Sequence, residues 1–284
     1  MKILVPIDFS RVSVNSIEIA RKIAAKSSGT VHLVNFIAPT NSEGFTALGE
    51  GHMKHDVEQD VYQAELIKTN EEKLANLAAI HNVENSNLHV VPHVEIGDFS
   101  AGFTELTNTK DFDLIVMGTT GEKHNLEKLF GNHTEKVLKE VDIPVISVQE
   151  NATLANLEDI LVAIDLKEED KNSVNQLVKF ANLMNAKLHL YHLIPKNSSD
   201  DIMDIKLKIR EYADRHSIEK YSVKIDQSNH VARSIASYAN ELNADLIAMF
   251  TKDYKGMKFY LHNSETEEVI ETEENIPVFA INSH

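Results

Sequence analysis

Two places in the chain hold residue types that could do chemistry on a bound anion. The first is Asp8, which closes the apolar run KILVPID at 2–8. The second begins at Gly118, where DLIVMG at 113–118 opens into G-T-T-G-E-K-H-N-L-E-K-L-F-G-N-H-T. Its glycines Gly118, Gly121 and Gly131 are spaced G-x2-G-x9-G. Glycine lets backbone come close to a ligand and allows positive φ. Consecutive N–H groups in such a loop form an anion-binding concavity. A helix starting at Asn132, His133 and Thr134 would add unpaired N–H groups and the positive end of its dipole. The pattern is that of a phosphate cradle. Taken alone, three glycines read more simply as a flexible loop. Placement between a buried strand and a helix favours the cradle.

Other chemistry is thin. His52 and His55 lie three apart near Glu50 and Asp56, but zinc needs about four converging ligands. His189 and His192 are three apart on a strand and so face opposite sides. Lys123 and Lys128 could screen phosphate charge, although loop lysines are usually just solvated. There is no Walker A lysine, no G-x-S-x-G elbow and no H-E-x-x-H. No catalytic residue is assigned, and no metal site.

The elements that must position these residues alternate strand and helix. Strands are expected at 2–8, 31–38, 88–96, 113–118 and 143–148, with helices at 10–28, 56–81, to about 108 after Gly97-Asp98, and 132–140. Ile17, Ala20, Ile23 and Ala24 give the first helix its apolar stripe, and Ser10 or Ser13 could cap it. The chain then repeats itself. DILVAID at 159–165 matches KILVPID, NADLIAMFTK at 243–252 matches DFDLIVMGTT at 111–120, and NSETEEVIETEENIPVFAI at 263–281 matches GNHTEKVLKEVDIPVISV at 131–148. Strands of the second half are expected at 159–165, 187–194, 221–226, 245–250 and 276–281, with helices at 168–184, 199–216, 230–242 and 264–273. The repeat implies two tandem domains, 1–150 and 151–284, meeting near NATLANLE at 151–158. Short uniformly apolar strands separated by helices argue for parallel sheets covered on both faces.

Composition narrows the classes. The 284 residues carry 28 basic and 44 acidic side chains, a net charge of −16. An acidic surface without a basic patch does not suit nucleic acid, so no nucleic-acid partner is expected. With no Cys, thiolate catalysis, disulfides and cysteine-ligated metals are excluded. No stretch approaches the roughly 20 apolar residues of a membrane span. The opening MKILVPID reads as a strand and not a signal peptide, which leads us to expect a soluble cytoplasmic protein with no membrane partner.

ILVPIDFS at 3–10, MGTTG at 117–121 and GNHTEKV at 131–137 followed by IPVISV resemble the universal stress protein family, and the repeat extends the likeness over nearly the whole chain. The resemblance implies two Rossmann-like, flavodoxin-like domains. Each would have a five-stranded parallel sheet of order 3-2-1-4-5, with the two halves joined through their last strands as a pseudo-dimer. A further homodimer is also compatible. It implies ATP or another adenine nucleotide, with Mg²⁺ as its companion ion, in the first half. Adenine and ribose would lie on Pro6, Asp8 and Phe36. The phosphates would lie on Gly118, Gly121, Gly131 and Asn132, with Met117 and His133 beside them. Asn132 departs from the family pattern, which has Ser or Thr there; its amide is still a donor. In the second half Phe250, Asp253 and Asn263 replace the glycines, and Glu265, Glu267 and Glu268 crowd the next helix start. Asp165 survives as a lone carboxylate, so no nucleotide is expected there. The functional reading is a nucleotide-binding stress-response protein. A nucleotide-free interaction module and a slow ATPase are the alternatives.

Overall fold

The computed structural model describes residues 1–39, 57–83, 88–119, 132–154, 156–166, 171–252 and 276–283. The first half runs β1 (Lys2–Pro6), α1 (Arg11–Ser27), β2 (Thr30–Ile37), α2 (Val57–Val83), β3 (His89–Ile96), α3 (Phe99–Thr109), β4 (Leu114–Gly118), α4 (Asn132–Glu140) and β5 (Val145–Val148). The second runs β6 (Asp159–Ala163), α5 (Lys171–Met184), β7 (Lys187–Ile194), α6 (Ile202–Arg215), β8 (Tyr221–Gln227), α7 (Val231–Leu242), β9 (Leu246–Lys252) and β10 (Val278–Ser283). The expected helix at 264–273 lies outside the described residues. No described helix is long and apolar enough to cross a membrane.

All ten strands form one sheet, ordered β3-β2-β1-β4-β5-β10-β9-β6-β7-β8. Within each half the pairing is parallel, in the order 3-2-1-4-5. The halves meet through an antiparallel β5–β10 pair, Val278 opposite Ser147 and Ala280 opposite Val145. Both final strands begin one residue after a proline. Pro144 and Pro277 have no N–H for the ladder, but their carbonyls accept from the Ile115 and Ile247 N–H groups at 2.9 and 3.1 Å.

The expected stripe of α1 is fully buried. Burying each such Ile is worth about 1.5–3 kcal/mol. Ser10, not Ser13, is the N-cap, accepting from the Ser13 N–H at 3.2 Å. Helices α1, α2, α5 and α6 cover one face of the sheet, and α3, α4 and α7 cover the other. Both apolar clusters draw side chains from the two halves, so the core runs unbroken across the junction. Between β5 and β6 the chain is strapped to α1. Asn15 Nδ2 lies 3.0 Å from the Ala152 carbonyl, 3.3 Å from that of Glu150 and 3.4 Å from that of Gln149. Lys26 reaches the Leu157 carbonyl at 3.3 Å, while Ala152, Leu154 and Leu157 are buried.

Candidate functional site

The strand order reverses between β1 and β4, because the chain leaves β1 toward β2 on one side and arrives at β4 on the other. In an open parallel sheet the crevice beyond the carboxyl ends at that point is where ligands sit. The structure has a pocket of about 300 Å³ there.

Its floor is the turn after β1. The Ile7 N–H continues the ladder to the Val34 carbonyl at 2.8 Å. Asp8 then leaves the sheet, and its Oδ1 accepts the Ser10 N–H at 2.9 Å. Phe9 between them adopts φ 64°, the left-handed region that non-glycine residues avoid. The Asp8 N–H faces the Ser13 hydroxyl at 3.4 Å, and that hydroxyl donates to the Ser10 carbonyl at 3.0 Å. Partial burial pushes the Asp8 carboxyl upward, but hydrogen bonds from Ser10 and Ser13 outweigh it and hold the group below the usual carboxylate range. At neutral pH Asp8 is therefore an ionised acceptor fixed at the pocket wall.

The opposite wall is Met117, Gly118 and Thr119, with Thr134 from the first turn of α4. Thr119 and Thr134 are almost fully buried. A Cβ on Gly118 would lie 2.5 Å from Val12 Cγ1, 2.8 Å from the Val12 carbonyl carbon and 2.9 Å from the Ser13 nitrogen. The glycine is thus demanded by the start of α1, which packs directly on the end of β4. The third wall comes from β2 and α3. Asn35 is buried, donates Nδ2 to the Ile7 carbonyl at 2.7 Å and accepts from Asn70 of α2 at 2.9 Å. Phe36 stands edge-on to Phe99, their centroids 5.6 Å apart. Gly102 makes room for it, since a Cβ there would meet Phe36 Cε1 at 2.7 Å.

Of the residues singled out from sequence, Pro6, Asp8, Phe36, Met117 and Gly118 all line this one pocket. Gly121 and Gly131 lie outside the described residues, as do Lys123, Lys128, His52 and His55. Asn132 and His133 begin α4, so the helix start faces the site through Thr134, but their side chains are outside the described set. Sequence reasoning missed Asn35, Thr119 and Phe99, while Thr134, placed at the helix start from the sequence, does line the pocket. A signal existed for Asn35, a polar residue set between the apolar pairs Leu33-Val34 and Phe36-Ile37. Ser13, named as a possible cap, instead braces the turn beneath Asp8.

The second half has the same frame with different contents. His192 Nδ1 lies 3.1 Å from the Ile164 carbonyl, in the place Asn35 takes beside Ile7. Phe250, in the position of Gly118, is half-buried against the core. Asp253, Asn263, Glu265, Glu267 and Glu268 lie outside the described residues. Among the described residues no three His, Asp or Glu side chains converge as a metal site.

Residues 1–149 and 156–274 both match the family model described as the universal stress protein family. A curated universal stress protein of Methanocaldococcus jannaschii is 31% identical over 149 residues, covering 52% of this chain and 81% of its own. A solved universal stress protein from Archaeoglobus fulgidus aligns over 99% of this chain and 98% of its own, with a TM-score of 0.68 at 18% identity. A Pseudomonas aeruginosa protein described as functionally unknown aligns over 99% and 92%, with a TM-score of 0.59 at 16% identity.

Proposed function

The chain belongs to the universal stress protein family, and from that premise we propose that its first half, 1–150, binds an adenine nucleotide while the second half, 151–284, is a degenerate partner without a nucleotide. The observation that carries the reading is the convergence of Asp8, the Gly118–Thr119 backbone and the first turn of α4 on one pocket. A pocket of about 300 Å³ is at the small end of ligand sites and suits a base and ribose better than a whole triphosphate. The apolar wall of Pro6, Val34 and Phe36 fits a base. The ionised Asp8 fits ribose hydroxyls, as an acceptor for donors, and is unsuited to phosphate. The phosphates would then extend toward the start of α4 and the 120–131 segment, where Gly121, Gly131, Asn132 and His133 are the residues offered. Helix start and glycine backbone supply N–H groups for that anion without lysine. A Mg²⁺ ion would neutralise phosphate charge there. We assign no hydrolytic step, and the nucleotide serves as a signal or structural ligand.

Asn132 favours a second reading, a nucleotide-free interaction module, because it lacks the hydroxyl the family pattern carries at that place. The test is to denature freshly purified protein and identify released nucleotide by chromatography and mass spectrometry, then titrate ATP with Mg²⁺ by calorimetry. Near-stoichiometric nucleotide, with uptake lost in Gly121→Val and Gly131→Glu, is expected. An empty protein that takes up none, or mutants with unchanged affinity, would sink the assignment. Turnover that vanishes in the same mutants would make it a slow ATPase.

A further inference from the structure

The second half carries a hydrogen-bonded relay that the nucleotide reading does not use. On one face of the sheet β6, β7 and β8 bring Asp159, His189 and Ser222 side by side, with His189 opposite Ser222 in register. His189 Nε2 lies 2.6 Å from Asp159 Oδ1, and Nδ1 lies 2.7 Å from Ser222 Oγ. A carboxylate only accepts, so Nε2 carries the proton. In the neutral ring Nδ1 is then an acceptor, and the Ser222 hydroxyl must donate to it. That is the ground-state arrangement of a base holding a nucleophile, itself oriented by an acid.

Three further observations point the same way. His189 is 5% exposed, so the ring is fixed, while Ser222 is half-buried on β8, at the end of the sheet. The Leu188 N–H donates to the Lys220 carbonyl at 2.9 Å and Leu188 pairs with Tyr221. A parallel ladder in that register directs the Ser222 N–H inward and the Val223 N–H out of the open edge. In α/β-hydrolases the N–H that follows the nucleophile is one of the two donors that polarise the attacked carbonyl. Lastly, the fold does not require the relay. In the first half His32 holds the matching place in β2, yet Lys2 stands where Asp159 does and Val91 where Ser222 does. There His32 Nδ1 faces His93 Nε2 at 3.0 Å instead.

We propose that Ser222, activated by His189 and positioned by Asp159, is a nucleophile that accepts acyl or phosphonyl groups from small activated esters at the outer edge of the second half. In acylation Oγ bonds to the acyl carbon and its proton passes to His189 Nδ1. The tetrahedral adduct then expels the alkoxide, which takes that proton. Water, deprotonated by the same nitrogen, cleaves the Ser222 ester to free acid and restores the hydroxyl. A fluorophosphonate stops after the first half, with a Ser222 O–P bond formed, the P–F bond broken and HF released.

The test treats the full chain with a fluorophosphonate probe and reads intact mass and the modified peptide. One adduct on Ser222, absent in Ser222→Ala, is expected. No adduct on the native chain, or an adduct that persists in S222A, would overturn the proposal. The chain has no cysteine, so Ser222→Cys introduces a single thiol whose alkylation can be followed against pH. A thiolate paired with imidazolium should alkylate at a nearly constant rate from about pH 6.5 to 9. A rate that climbs about tenfold per pH unit up to the ordinary thiol range near 8.5 would equally refute it.

Discussion

Gly118→Ala is the substitution whose effect the packing specifies most closely. The added methyl would sit 2.5 Å from Val12 Cγ1, 2.8 Å from the Val12 carbonyl carbon and 2.9 Å from the Ser13 nitrogen. A side-chain methyl can turn away, but two of these neighbours are backbone atoms in the first turn of α1. Relief therefore requires α1 to retreat from β4. Overpacking of this kind costs typically about 1–3 kcal/mol, and backbone neighbours place it in the upper half, about 2–3 kcal/mol. In a large domain that corresponds to a melting temperature lower by roughly 4–12 °C. The retreat would also pull Ser10 and Ser13 away from Asp8, so the site would be damaged together with stability. Urea unfolding is the assay, and the midpoint should fall with the slope unchanged. A Val12→Ala background removes the 2.5 Å contact and leaves the other two. It should rescue only a minor part of the loss. A G118A protein within about 0.5 kcal/mol of the native chain, the range of ordinary surface substitutions, would refute the packing argument. Full rescue by V12A would show that the backbone contacts do not matter.

Gly102→Ala forces a different outcome, because its nearest neighbour is the ring edge of Phe36. The ring can swing, so stability should change by less than about 1.5 kcal/mol, while calorimetric affinity for an adenine nucleotide changes markedly. Asn15→Ala removes the donor shared by three carbonyls between β5 and β6, and should cost about 1–3 kcal/mol in urea unfolding. Burial lowers the affinity of His32, His93 and His216 for protons; His93, Lys2 and Lys110 reinforce this at His32, Lys110 at His93, and Arg215 and Lys171 at His216. The unfolded chain then binds more protons below its ordinary His range, so stability is full above about pH 6.5 and falls as the pH drops below it. Urea midpoints from pH 8 to 5 should show that decline. His93→Phe should flatten part of it, and a pH-independent midpoint would contradict the burial argument.

Local chemistry was legible in the sequence. Apolar runs of strand length, the α1 stripe and the repeat placed the strands and described helices to within a few residues, because hydrophobic spacing is a local property. The placing of Asp8 and Gly118 at strand ends was equally readable, and the resemblance supplied the strand order that puts those ends together. Three things needed the tertiary structure. Gly118 read as a place for a ligand to approach, yet its first constraint is the backbone of α1, which lies over a hundred residues away in sequence. Asn35 passes unnoticed in the sequence, and only the fold sets its amide between the Ile7 carbonyl and Asn70. His189 was set aside because His192 faces the other way, and nothing in the sequence spacing pairs it with Asp159 on one neighbouring strand and Ser222 on the other. Hydrophobic periodicity encodes which face of an element is buried. It carries no record of which polar atoms meet across strands, since those contacts depend on register and topology.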